Sequence, residues 1–385
     1  MPWLAQHLWL VGAIIGHLAL VILAVNVAHG MGVHSRWLDA ATIAWMIVFG
    51  LGVLWIGLPY SALPGWAWPH WLRWYSVLCL IIAFVGLPAA SIRRHQLSRN
   101  VPFRSQSSRI PLLHHDCPSR YIGTSHRGFL LRLPGNESLA PEWVEWDVPI
   151  PGGMGIPDGF RILHLSDLHF SLAYRQCFFE ELIEQAKRWP CDLVVISGDI
   201  VDDSVCLGWI KTLLSDLKGR WGQFAVVGNH DHAHQLVEVI HALESAGFTV
   251  LDGTDAVLNV NGARLQIAGT CAPWGPDLEP VCRDRSGDFR ILISHTPDEL
   301  YRAAKRGFDL VLAGHNHGGQ AVVPVLGPIL MPSRYSRRFE RGFYREGKTL
   351  LYASRGLGSK HPLRWGCRPE LTGIILRSDG TTIAP

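Results

Sequence analysis

Three long apolar stretches open the chain, and short apolar runs separated by amphipathic segments fill most of the rest. The first stretch runs from Leu8 to about Ala28, interrupted only by His17 and Asn26. The second, Ala40 to Leu58, carries no charge, and the third runs from about Trp74 to Ala90. Each approaches the ~20 apolar residues that a helix needs to cross a bilayer. Helices of a water-soluble core are the alternative. Three in succession, flanked by Trp37, Trp66, Trp68, Trp71 and Trp74, match membrane helices with interfacial tryptophans better. The pattern predicts a transmembrane region over residues 1–91 with about three helices. A cleaved leader fits poorly, because no basic segment precedes the first stretch and more membrane sequence follows it.

Residues 92–141 mix Ser, Arg, Pro and His without a period and read as a connector; the adjacent His114 and His115 read as loop residues. Glu142–Ile150 alternates like a strand, and Pro151, Gly152, Gly153, Gly155 and Pro157 then punctuate the chain. From Phe160 the period changes. Arg161–Leu165, Leu193–Ser197 and Phe224–Val227 read as buried strands, with helices at Gln176–Arg188, Leu207–Leu217 and Ala233–Ser245 between and after them. Such a series implies a parallel sheet. Further strands are expected at Val257–Val260, Arg264–Ala268, Arg290–Ile293, Leu310–Ala313, Ala321–Val325, Thr349–Ala353 and Gly373–Leu376. The expected fold is α/β: a β-sandwich of two sheets flanked by helices over residues 142–385, preceded by the N-terminal transmembrane helices.

Composition and charge sharpen this picture. Charged residues make up only 17% of the chain, below the usual quarter of a soluble domain, which agrees with part of it lying in lipid. A net charge of +3 gives no basic stripe, so nucleic acid is not an expected partner. Cys79, Cys117, Cys177, Cys191, Cys206, Cys271, Cys282 and Cys367 form no C-x-x-C pair and read as reduced thiols. Arg93, Arg94, Arg99, Arg104 and Arg109 follow the third stretch, whereas the first seven residues carry no Lys or Arg. The positive-inside rule then places the C-terminal domain in the cytoplasm, with the chain multi-pass in the inner (cytoplasmic) membrane. Arg36 agrees with that orientation and Arg73 opposes it.

The candidate chemistry sits where the expected strands end. Ser166-Asp167-Leu168-His169 follows the first, Gly198-Asp199-Ile200-Val201-Asp202 the second, and Gly228-Asn229-His230-Asp231 the third. Later ones run into Ser294-His295 and into Gly314-His315-Asn316-His317-Gly318-Gly319-Gln320. Sites in open α/β sheets form at the carboxyl ends of strands. Asp, Asn and His together offer oxygen and nitrogen donors, a set suited to Mn, Fe or Zn and unlike a pure Ca or Mg cage. Asp-x-His and His-x-His put alternate side chains on one side of an extended turn. The donors are too many for one tetrahedral ion and enough for two if one carboxylate bridges. A lone Gly-Asp or His would be an ordinary turn or core residue; five such groups in order are not.

Together these motifs resemble the calcineurin-like metallophosphoesterase family over about residues 160–377, with no departure at the ligand positions. Gly318-Gly319-Gln320 resembles a bacterial branch that includes membrane-associated phosphoesterases. The resemblance implies that Asp167, His169, Asp199 and His317 bind one divalent ion. It implies that Asp199, Asn229, His295 and His315 bind a second, with Asp199 bridging. His230 would sit beside the scissile phosphate, and Asp202 would orient it. Such an ion pair polarises a phosphoryl group and acidifies water, so no covalent enzyme intermediate is needed. His232 and His234 have no implied role and read as helix or surface residues; Asp203 reads as a turn residue and Asp231 as a helix-start residue or one that supports the ligands from behind.

The expected function is a membrane-anchored, two-metal hydrolase of phosphoester or pyrophosphate bonds. The resemblance extends to UDP-2,3-diacylglucosamine pyrophosphatases and so to a lipid-linked substrate. Arg355 and Arg364 in the ending, with the basic group Arg334, Arg337 and Arg338, are expected either to grip a diphosphate or headgroups or to form a solvated positive rim. The segment Cys271–Pro280, with Trp274, is expected to be a lid, an apolar wall or a plain rigid loop. A tethered phosphodiesterase or phosphomonoesterase of soluble substrates is the second reading. A catalytically idle membrane scaffold is the third, disfavoured by the full ligand set.

Overall fold

The computed structural model describes residues 2–32, 40, 42, 44–45, 47–53, 70–99, 101, 103–114, 116–152, 154–278, 289–324, 327–328 and 331–382. Arg36, Trp37, Trp66, Trp68, His115, Gly153, Pro280, Cys282 and much of the second apolar stretch lie outside the described residues. The chain divides into two units: Met1–Arg99 with Val323–Arg338, and Asn100–Val322 with Phe339–Pro385.

The first unit is helical. Helix α1 spans Pro2–His29, α2 spans His70–Ile81, and a π-helical turn at Ile82–Gly86 joins α2 to α3, Leu87–Arg99. Leu8–His29 and His70–Arg93, of 22 and 24 residues, are long and apolar enough to cross a membrane. At about 1.5 Å per residue they reach roughly 33 and 36 Å. Many of their apolar side chains are exposed, among them Leu8, Leu23, Trp74, Phe84 and Val85. A core helix would bury such residues. The described residues of the second stretch, 40, 42, 44–45 and 47–53, are helical. Gly16 lets α1 approach α2, since a Cβ there would lie 1.8 Å from the Cys79 carbonyl oxygen. Close contact through a small residue is how helices pack in lipid. The His17 ring meets Phe49 and Tyr75 at centroid distances of 5.7 and 5.9 Å. The segment Val323–Arg338 returns to this unit, where Met331 N donates to Asn26 Oδ1 (2.8 Å) and Arg334 Nε to the Gly30 carbonyl (2.9 Å).

The second unit is the α/β sandwich. Its strands are β1 Arg104–Arg109, β2 Glu142–Gly152, β3 Phe160–Leu165, β4 Leu193–Ser197, β5 Gln223–Val226, β6 Thr249–Val250, β7 Asp255–Val260, β8 Ala263–Thr270, β9 Phe289–Ser294 and β10 Leu310–Ala313. They continue with β11 Gly342–Glu346, β12 Thr349–Ala353 and β13 Glu370–Thr382. One sheet has the order β1-β2-β13-β3-β4-β5-β6 and the other β11-β12-β10-β9-β8-β7. Strands β3 to β6 are mutually parallel, as are β8, β9, β10 and β12. Strands β4 (LVVIS), β9 (FRILIS) and β10 (LVLA) are buried along their whole length. That is why they are continuous apolar runs rather than alternating ones. Ile162, Val195, Val226, Ile267, Ile293 and Leu312 fill the space between the sheets. Each such side chain contributes about 1.5–3 kcal/mol by leaving water.

Helices cover the outer face of the first sheet. They are α4 Gln176–Lys187, α5 Leu207–Leu214, α6 Asn229–His234 and α7 Leu236–Ser245, while α8 Leu300–Arg306 follows β9. Phe178, Phe179, Leu182, Ile210, Leu214 and Leu243 anchor this layer over Leu163 and Val194. The helix expected at Ala233–Ser245 begins earlier and breaks at Gln235, whose φ of −153° and ψ of 45° are not helical. The strand expected at Ala321–Val325 is assigned only at Val322–Val323. Because the central strands of both sheets run parallel, their carboxyl ends deliver loops to the same edges of the sandwich.

Candidate metal centre

Five loops carry the nine expected site residues together. Asp167 and His169 follow β3, Asp199 and Asp202 follow β4, and Asn229 and His230 open α6 beyond β5. His295 follows β9 directly, and His315 and His317 lie just past β10. The backbone is bent sharply here: φ is 49° at Asp167, 45° at His169, 54° at Asp199, 68° at His315 and 47° at His317. Non-glycine residues in this left-handed region are uncommon, and such strain collects at functional sites. Backbone hydrogen bonds hold the turns. Asp167 N donates to Gly198 O (3.0 Å), His169 N to Asp199 O (2.9 Å), and Gly358 N to Asp167 O (2.7 Å). Two glycines make room: a Cβ at Gly228 would lie 2.0 Å from Asp199 Oδ1, and one at Gly314 would lie 1.8 Å from Ser166 Oγ and 2.4 Å from Asp167 Oδ2.

The donor atoms converge in two overlapping groups. Asp167, His169, Asp199 and His317 offer atoms within 4.8 Å of one another, and so do Asp199, His295 and His315. Asp199 belongs to both. Asn229 Oδ1 joins the second at 2.9 Å from His295 Nε2. His295 Nδ1 faces the Ser197 carbonyl at 2.9 Å, so it carries the proton of the neutral ring. Nε2 then points its lone pair at two acceptors, Asn229 Oδ1 and, at 3.4 Å, Asp199 Oδ1. His169 repeats the pattern. Its Nδ1 faces Asp202 Oδ2 (3.1 Å), and its Nε2 meets His317 Nε2 (3.2 Å) and Asp199 Oδ2 (3.4 Å). Lone pairs and carboxylate oxygens that meet without a donor between them fit a cation, with the second ring nitrogen fixed by its own acceptor.

The electrostatics agree. Burial opposes ionisation of Asp199, yet His295, His230 and His169 hold its carboxyl well below the usual range. Asp202 is likewise pushed far down against burial by His169 and His230. Burial raises Asp167, with His295 opposing and Asp199 adding to the rise. Burial would lower His169 and His295, but Asp202 and Asp199 respectively lift them to about 9. His317 is lowered by burial, His169 and Arg364. The carboxylates thus draw positive charge into a buried place, which a divalent cation supplies in exchange for protons.

Asp202 bridges two rings, with Oδ2 toward His169 and Oδ1 accepting at 2.7 Å from His230 Nδ1. The His230 side chain keeps 19% of its surface exposed, against 1% for His169, so it stands at the mouth of the cluster. Trp274 packs on His315 and His295 at 4.8 and 5.8 Å between ring centroids, which makes its segment an apolar wall of the centre. Asp231 accepts from the backbone N–H groups of Gly228, Ile200 and Val201 and so ties two ligand loops together. Burial, with Asp199 adding, pushes its carboxyl up to about 6. Asp203 accepts from Leu172 N in a turn. His232 is half-buried beside Asp252.

Some residues behave otherwise than the pattern suggested. Arg355 is no rim residue: it is paired with Glu370 and, at 3.0 Å, with Glu142. Arg364 is wholly buried and donates Nη2 to the Gly358 carbonyl (2.8 Å) and toward His317 Nδ1 (3.3 Å). Arg334, Arg337 and Arg338 belong to the helical unit. The sequence reading passed over Ser166 and Ser197, whose hydroxyls support Asp167. A small polar residue closing an otherwise apolar strand was their signal.

A family model described as calcineurin-like phosphoesterase matches residues 160–319. Metallophosphoesterase YkuE of Bacillus subtilis (strain 168) is 34% identical over 238 residues, 60% of this chain and 82% of that protein. Phosphodiesterase YaeI of Escherichia coli (strain K12) is 32% identical over 225 residues, 56% of this chain and 82% of the relative. A Bos taurus protein named transmembrane protein with metallophosphoesterase domain is 26% identical over 265 residues, 63% of this chain and 59% of its own length.

Proposed function

The chain belongs to the calcineurin-like metallophosphoesterase family, and from that premise we propose that it is a membrane-anchored hydrolase using two divalent cations to cleave a phosphoester or pyrophosphate bond. The observation that carries the two-cation reading is the sharing of Asp199 by both donor groups. Asp167, His169, Asp199 and His317 would hold one cation, and Asp199, Asn229, His295 and His315 the other; Mn, Fe and Zn suit this donor set. When bound, the pair supplies Lewis acidity to the phosphoryl oxygens and acidifies water.

The chain's own groups do the rest. His230, fixed by Asp202 and partly exposed, meets the phosphoryl group and stabilises its charge or delivers a proton to the leaving oxygen through Nε2. Trp274 keeps water from one side of the ligand rings. The two long apolar helices support a membrane anchor, which we place in the inner membrane. The arginine asymmetry supports a cytoplasmic catalytic domain, and a domain anchored there would meet a lipid-linked substrate, for which the UDP-2,3-diacylglucosamine kind is our reading. The same site on a tethered enzyme would serve soluble phosphodiesters equally well.

Purified protein in detergent with Mn, offered bis-p-nitrophenyl phosphate, p-nitrophenyl phosphate and a UDP-linked acylated sugar, tests these readings. Preference for the acylated sugar, with a rate set by its surface concentration in micelles, is the expected result. Turnover of the simple esters alone leaves the tethered enzyme standing. His230→Ala is expected to keep its metal and lose about 10²–10⁴ in kcat, the scale of a positioned acid; an unaltered rate would remove it from the mechanism.

A further inference from the structure

Residues 118–137, expected to be unpatterned connector, form a strap pinned at both ends to loops of the catalytic unit. At one end Gly123 N and Ser125 N donate to the carbonyls of Ala173 and Leu172, each at 2.9 Å, in the loop that follows His169. At the other end Asn136 Nδ2 donates to Pro362 O (2.7 Å), while Arg364 N donates back to Asn136 Oδ1 (3.0 Å). Arg127 lies between these anchors. Lys360 and His361 lie between the Gly358 N bond to Asp167 O and the Asn136 bond to Pro362.

Arg127 and Lys360 are half-buried, His361 is exposed, and none of their side chains has a hydrogen bond or ion pair among the described residues. Asp202 is paired with His169 and His230, Asp203 accepts from Leu172 N, and Glu137 Oε1 is paired with Arg368, so none of these acids forms an ion pair with Arg127 or Lys360 among the described residues. A Cβ at Gly358, two residues before Lys360, would lie 3.2 Å from His169 Cβ, and the anchors of Gly123 and Ser125 sit on Ala173 and Leu172, so the two loops that carry Arg127, Lys360 and His361 flank the His169 corner of the centre. Burial and the two cations lower the proton affinity of His361, so it offers a neutral ring beside two fixed charges. A guanidinium and an ammonium without acidic partners keep their N–H donors open to an anionic ligand. A guanidinium fork, an ammonium and an imidazole N–H together suit the three free oxygens of a phosphoryl group.

We infer that Arg127, Lys360 and His361 form a second phosphoryl subsite, next to the one where the bond is cut, and that the substrate class is a diphosphate-containing ester. The inference rests on the phosphoesterase reading above and adds a specificity rim to it.

The test is calorimetric binding of inorganic phosphate and of methylenediphosphonate to the Mn-loaded full chain in detergent. Wild type is compared with Arg127→Ala, Lys360→Ala and the double variant, and Arg127→Lys serves as the conservative control. Metal chelation by the diphosphonate is common to all, so the ratio of the two affinities is what is read. The expected result is a preference for the diphosphonate that falls about tenfold in the double variant and is partly kept in Arg127→Lys, as charge-assisted contacts imply. An unchanged ratio, or equal weakening of both ligands, overturns the subsite. So does loss of binding to phosphatidylglycerol vesicles with the ratio intact, which assigns the rim to lipid headgroups. Binding needs no turnover, so a wild type that binds as expected yet cleaves no ester defeats the phosphoesterase reading separately.

Discussion

His164 sits three residues before Asp167 on β3 and reaches its carboxylate through two serines. Its Nε2 donates to Ser197 Oγ (2.9 Å), Ser197 donates to Ser166 Oγ (2.8 Å), and Ser166 donates to Asp167 Oδ2. Burial, opposed by Glu370, holds the imidazole down to about 4, so it is neutral across the physiological range and has one proton to give. A fixed donor at the head of the row leaves each hydroxyl one direction, and Asp167 receives a hydrogen bond on the oxygen turned from the ligand cluster. His164→Ala is expected to weaken metal binding about 10- to 100-fold, the usual effect of losing an outer partner of a ligand. His164→Gln, which keeps an N–H, is expected to recover part of it. Titrating Mn into both variants checks this, and equal affinity in wild type and His164→Ala would leave the row without a role. The ligands themselves could be read from the chain because Asp, Asn and His after an apolar run are chemically conspicuous. His164 could not, because an imidazole inside a strand looks the same whether or not it supports a carboxylate, and Ser166 and Ser197 showed only as hydroxyls at the ends of apolar strands.

At the scale of elements, the buried parallel strands were legible and the edges were not. Strands β3, β4 and β10 are short apolar runs bounded by turn residues, and their expected limits differ from the structure by at most one residue. Strand β1, Arg-Ser-Gln-Ser-Ser-Arg, is exposed at all six positions and pairs antiparallel with β2. An edge strand held by backbone bonds alone carries no hydrophobic period, so nothing in its composition marks it. The strap at 118–137 escaped for a similar reason, since its turns are fixed by carbonyls of another loop. Loop geometry is also where substitution should hurt most. A methyl at Gly314 would overlap Ser166 Oγ and Asp167 Oδ2, so Gly314→Ala is expected to displace the Asp167 loop. About 1–3 kcal/mol of stability should go with it, the range for overpacking. Metal content should fall more steeply than the melting temperature. A variant with full metal and an unchanged melting point would show that β10 shifts freely, contrary to its burial between β9 and β12.

For the whole molecule, each unit has its own physical logic. The helical unit exposes apolar side chains, whereas the catalytic unit buries its apolar strands between and beneath covered sheets. The seven described cysteines are free thiols, and Cys117 in the catalytic unit is exposed, so it reports the side of the membrane on which that unit lies. A membrane-impermeant maleimide is expected to leave Cys117 unmodified in intact cells and to label it once the membrane is opened; labelling of intact cells would reverse the proposed orientation. The donors of the centre are spread from Asp167 to His317, and each enters its place through a turn that the other loops brace. In a chain made from its N-terminus, the apolar helices leave the ribosome long before the last ligand does. A product cut short before His315 therefore has the apolar helices and most of a sheet but only part of each donor group, so both clusters are completed late in synthesis, when the loop after β10 arrives.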